Sequence, residues 1–223
     1  LAQLALRRLE VGLQGAGDRV VITAEGNPLF IEELVASLAE RVDDATEKLP
    51  TNVRSTIAAR LDTLSAAARG ALLDAAVIGK VFWRGALQTL EATRSAAELE
   101  DALDILESRD FIHRESGSQI EGDHEYLFKH MLIREVAYAT LPRAARRERH
   151  AAVARFIESA AGERIEEAAA TLAHHWQEAG DLDQAVRFLQ LAAEHAAKGW
   201  AKNEAVALFG QALKLVPEDQ PEL

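Results

Sequence analysis

The chain has 223 residues, 48% hydrophobic and 27% charged, which is enough apolar material for a folded core and argues against disorder over most of its length. Lys and Arg number 25 against 36 Asp and Glu, a net charge of −11 that repels nucleic acid and anionic membranes at long range. There is no cysteine, which excludes disulfides, thiolate metal sites and a cysteine nucleophile.

Residues 1–10 read as the end of a helix, closed by the glycine-rich stretch 12–17, and Val20-Val21-Ile22 is a short apolar run. The start, Leu1-Ala2-Gln3, has neither an initiator Met nor a signal peptide, and the expectation is a piece of a longer protein. Glu25-Gly26-Asn27-Pro28 makes a turn, and Pro28 suits the first position of a helix, where its missing N–H costs nothing. Phe30/Ile31, Leu34/Val35 and Leu38 then recur at helical spacing. Residues 43–46 read as a polar linker.

Leu49-Pro50-Thr51 is expected to start a helix with Val53, Ile57, Leu61 and Leu64 on one face. Ser65 can cap the next, which carries Leu72, Leu73, Ala76 and Val77 and stops at Gly79. Residues 82–90 read as a short apolar helix. Ser95-Ala96-Ala97-Glu98 is a capping box opening a helix with the stripe Leu99, Ala102, Leu103, Leu106. The period then changes: residues 111–114 and 126–129 are strand-like, with Gly117 and Gly122 between them, and predict a β-hairpin.

Residues 131–141 read as helix, and Pro142 as the start of another. From about residue 164 the chain is alanine-rich helix, with Gly180-Asp181 as a tight turn and Pro217 as a stop. Ala185, Leu189 and Ala192 recur 20 residues later as Ala205, Phe209 and Ala212, a faint sign of a stacked helical repeat. No apolar run reaches the ~18 residues of a membrane-spanning helix, so no membrane role is expected and the location is read as cytoplasmic.

Three stretches in this order resemble the signal-transduction ATPases of the AAA-related STAND class, in the branch fused to class III adenylate cyclases or to LuxR-type regulators. They are Glu25 to Leu34 (EGNPLFIEEL), Leu49-Pro50 through Arg60-Leu61 to Ala75-Ala76-Val77-Ile78-Gly79, and Phe128 to Tyr138 (FKHMLIREVAY). The resemblance implies a mainly α fold in three parts. These are the C-terminal lid part of the ATPase module over 1–48, a winged helix with a small β-hairpin over 49–142, and a segment leading into TPR-like repeats over 143–223. Gly26 and Pro28 match the family's Gly-x-Pro turn, which packs beside adenine. His130 matches a histidine that reaches the β-phosphate of ADP in related members. The following position, often Asp in better-known relatives, is Met131.

No G-x-x-x-x-G-K-[ST] loop and no strand ending in paired acids is present, so the chain is expected to hold no cofactor and to catalyse nothing alone. The resemblance assigns ADP or ATP with Mg to the parent. It implies a regulatory role, with the intramolecular nucleotide-binding core and a protein or small ligand at the repeat as partners. Membership of a cyclase fusion or of a LuxR-type transcription regulator are the alternatives.

Arg143, Arg146, Arg147 and Arg149 form the one dense basic run; Arg143 and Arg147 share a helix face and are candidate anion contacts. Glu98, Glu100, Asp101, Asp104 and Glu107 on the helix before the hairpin argue against DNA binding. His174-His175 point ~100° apart on a helix and make a poor chelate, so no metal is expected. Trp176 and Trp200 read as packing residues.

Overall fold

The computed structural model describes residues 23–24, 27–40, 52–91, 93–118, 120–199 and 201–216. The readings of residues 1–22, Glu25, Gly26, 43–46, Leu49 to Thr51, Trp200 and Pro217 lie outside the described residues.

The fold is mainly helical, with one small antiparallel sheet of three strands in the order β1-β3-β2. In chain order the elements are α1 (Pro28–Glu40), α2 (Val53–Asp62), α3 (Ala66–Ile78), β1 (Val81–Trp83), α4 (Arg84–Leu90), α5 (Ala96–Ser108), β2 (Ile112–Arg114) and β3 (Glu125–Phe128). There follow α6 (Met131–Thr140), α7 (Arg143–Ala161), a 3₁₀ turn (Gly162–Arg164), α8 (Ile165–Ala179), α9 (Leu182–Lys198) and α10 (Lys202–Leu215). The described residues divide into two compact units. One takes those within Leu1–Leu73, Ala97–His113 and Phe128–Thr140; the other takes Asp74–Ala96, Arg114–Leu127 and those within Leu141–Leu223.

In the first unit α1 begins at Pro28, and the Asn27 side chain accepts from the Phe30 N–H at 3.3 Å, satisfying one orphan donor of the first turn. Phe30 and Leu34 are buried with Ala24, and Ile31, Val35, Leu38 and Val53 pack around them. Asn52 caps α2 by accepting from Ser55 N–H at 2.8 Å, and Ile57 and Leu61 are wholly buried. Ser65 caps α3, taking the Ala68 N–H at 3.3 Å. Helix α5 ends in a Schellman turn: Phe111 N–H bonds to Leu106 O at 2.9 Å and Asp110 N–H to Glu107 O at 3.0 Å. Asp110 takes the left-handed position with φ 58°, a place usually given to glycine but open to Asp, whose short side chain tolerates it.

The expected helix over 82–90 is corrected: Val81–Trp83 is a strand and the helix starts only at Arg84. Val, Phe and Trp suit a pleated surface, and a short apolar run has no period that separates strand from helix. Strand β1 pairs with β3 in the register Val81↔Leu127, Phe82↔Tyr126, Trp83↔Glu125. The Phe82 and Tyr126 rings stack with centroids 5.7 Å apart, and Trp83 Nε1–H donates to Glu125 at 3.1 Å. Gly85 N–H donates to both oxygens of Asp123, at 3.1 and 3.0 Å, which ties α4 to the hairpin loop.

In the second unit α7, α8, α9 and α10 pack in succession. Gly180 closes α8 with φ 82°, and the Asp181 carboxylate caps α9 by accepting from Gln184 N–H at 3.1 Å. Ala185, Phe188 and Ala193 on α9 are fully buried. The residues 20 positions on divide differently: Ala205 and Ala212 are buried, whereas Val206 and Leu213 are each 72% exposed and Phe209 41%. Gly180→Ala is expected to cost about 1–3 kcal/mol, since alanine resists positive φ. Its Cβ would also run into the Arg147 guanidinium. Urea denaturation checks this, and an unchanged midpoint would mean that the turn relaxes freely.

Candidate nucleotide-contact site

Of the three residues that the Gly-x-Pro and histidine motifs single out, Gly26 lies outside the described residues, Pro28 is exposed at the first turn of α1, and His130 stands just before α6. The structure brings the last two elements together. His130 Nε2 lies 3.2 Å from an oxygen of Glu32, which sits one turn into the helix that Pro28 opens. Both side chains are about one-third exposed, at 30% and 33%. Met131, the next residue, is exposed.

Beneath this edge lies a buried ion pair. Glu33, beside Glu32, bonds to Arg60 Nη1 of α2; the two side chains are 3% and 2% exposed. Arg60 also donates from Nη2 to Arg109 O at 2.6 Å and holds its guanidinium 4.4 Å from the centroid of the Phe111 ring. One side chain thus joins α1, the end of α5 and the entry to β2. On the outer side Arg54 pairs with Glu135 at 2.6 Å, α2 to α6, and Lys129 with Asp110 at 3.2 Å. Glu32, Glu33 and Arg60 all fall in the motif stretches, but neither the Gly-x-Pro turn nor the histidine motif assigns them a role. The available signal was Arg60 itself, a charge on the same helical stripe as Ile57, Leu61 and Leu64.

The arginines of α7 do not converge. Arg143 is exposed. Arg147 Nε–H donates to the Ala179 carbonyl at 2.9 Å, at the carboxyl end of α8, where a cation suits the helix dipole. Arg146 Nε–H donates to Leu141 O at 2.9 Å, and Arg149 Nε–H to Asp74 at 2.8 Å. Asp74 is buried, with Arg94 on its other oxygen at 3.6 Å. Burial pushes its carboxyl above the ordinary range, Arg149 and Arg94 pull it back, and Glu91 adds to the push.

His174 is exposed, whereas His175 is buried with its Nδ1 2.9 Å from Nδ1 of the buried His150. One proton lies between two such nitrogens, so one ring donates and the other accepts. Among the described residues no three His, Asp or Glu are arranged to hold a metal ion. Among them, too, no helix is long and apolar enough to cross a membrane. Helix α5 turns Asp101 and Asp104 to solvent.

Comparison with protein-family models, curated proteins and solved structures gives no match for the chain.

Proposed function

We propose that the chain is a non-catalytic regulatory part of a STAND-class signal-transduction ATPase, coupling the nucleotide state of the core to a helical-repeat sensor and an output domain. The observation that carries this reading is the approach of His130 to Glu32 on α1, the helix that the Gly-x-Pro motif opens, within one compact unit. The order α3-β1-α4-α5-β2-β3 with strands ranked β1-β3-β2 supports a winged helix as the middle part. Small buried residues on α9 and α10 and the tight turn at Gly180-Asp181 support a TPR-like repeat as the last. The acidic outward side of α5 favours a winged helix that acts on protein rather than on DNA.

In this reading His130 donates to the β-phosphate of ADP held by the core and so stabilises the closed, inactive state. A ligand shifts such an equilibrium only by its differential affinity for the two states. Losing one charge-assisted hydrogen bond costs about 1.5–3 kcal/mol. His130→Ala in the full-length parent is therefore expected to weaken ADP binding roughly ten- to hundredfold and to raise basal output without an inducer. Calorimetric ADP titration tests it, and wild-type affinity in a folded variant refutes the role.

A further inference from the structure

Two adjacent carboxylates leave α1 for different partners, and their surroundings give them different work. Glu33 reaches Arg60 in a buried pair with side chains 3% and 2% exposed, closed to solvent and to any ligand. Glu32 reaches His130 at the edge, where the side chains are 33% and 30% exposed and water screens the pair. A buried pair resists opening because each charge would be left unpaired without water; an edge pair opens into solvent that solvates both halves.

Nε2 is the outer nitrogen of an imidazole, the one that a ligand arriving from solvent meets first. In His130 that atom faces Glu32 at 3.2 Å. A carboxylate and a phosphate are both acceptors only, so Nε2–H can serve one of them well but not both. Two anions crowded onto one donor also repel each other. The other charged groups nearby are held elsewhere: Lys129 on Asp110, Glu135 on Arg54, and Arg134 at 5.9 Å from the centroid of the Tyr138 ring.

We propose that Glu32 is a built-in competitor for the phosphate at His130: its carboxylate and the ligand's terminal phosphate take the same N–H in turn, so Glu32 sets how readily the nucleotide clamp lets go. This rests on the regulatory reading above. Glu33, fixed on Arg60, keeps α1 attached while Glu32 swings away. The release of ADP is then assisted from within, because the departing phosphate is replaced by a carboxylate already on the neighbouring helix.

The test measures ADP affinity by calorimetry in the full-length parent carrying Glu32→Gln, His130→Ala or both. Glutamine removes the competing charge, so E32Q is expected to tighten ADP roughly two- to fivefold and to lower basal output. The single changes thus move affinity in opposite directions, and the double variant matches His130→Ala because no donor remains to compete for. Weaker ADP binding in E32Q, in the same direction as His130→Ala, overturns the proposal, for it makes Glu32 a support of the histidine; the regulatory reading then stands. Tighter binding by E32Q that persists in the double variant also overturns it, since the charge then acts on the ligand without His130. An inert His130→Ala variant fails the regulatory reading itself, which separates the two. A thermal melt of E32Q in this chain, expected to match the unchanged chain, excludes a folding defect as the cause.

Discussion

Arg60→Met is expected to be among the most damaging single changes in the chain, at about 3–5 kcal/mol of unfolding free energy. The loss is not the lost attraction as such. Methionine fills much of the space but leaves the Glu33 carboxylate buried with no cation, and leaves the Arg109 carbonyl without its 2.6 Å donor. A companion variant decides between this account and simple loss of packing. Arg60→Met with Glu33→Leu removes both charges at once, and replacing a whole buried pair by apolar groups is often neutral. The double variant is expected to recover most of the stability, measured by urea denaturation of all three chains. If it is as unstable as Arg60→Met, the packing of the guanidinium on Phe111 rather than the charge pair is what matters.

The second large effect lies in the repeat. Phe188 is fully buried on α9, and Phe188→Ala is expected to cost about 3–5 kcal/mol through lost burial and the cavity left behind. Phe209 on α10 occupies the repeat position 20 residues after Leu189 but is 41% exposed, so the same truncation there should cost under about half as much. Thermal or urea unfolding of the two variants gives the comparison. Equal losses would mean that α10 is covered as fully as α9.

What was legible beforehand follows the reach of each interaction along the chain. The apolar stripe of α1 and the start at Pro28, the Ser65 cap and the Gly180-Asp181 turn all rest on residues within a few positions of one another, the hairpin on two strands joined by one loop, and each is present. Strand β1 escaped because three residues are too few to show a period; its strand character comes from pairing with β3, more than forty residues away. The Schellman turn after α5 escaped because Asp110, not glycine, takes the left-handed position. At the candidate site, the two motifs lie about a hundred residues apart, and the approach of His130 to Glu32 on α1 is a tertiary fact. The arginine run of α7 looked like a single patch in one dimension, yet three of its members turn to Leu141, Ala179 and Asp74.

The two compact units are each assembled from three separate stretches, taken alternately along the chain. A break anywhere between residues 74 and 140 therefore leaves parts of both units on both sides of the cut. Neither half of such a digest holds a complete set of neighbours, so stable fragments are expected only from cuts outside that span. The same weaving shapes synthesis. The first unit lacks its last helix, α6, until residue 140 has been made, by which time the first two of the second unit's three stretches have been made as well.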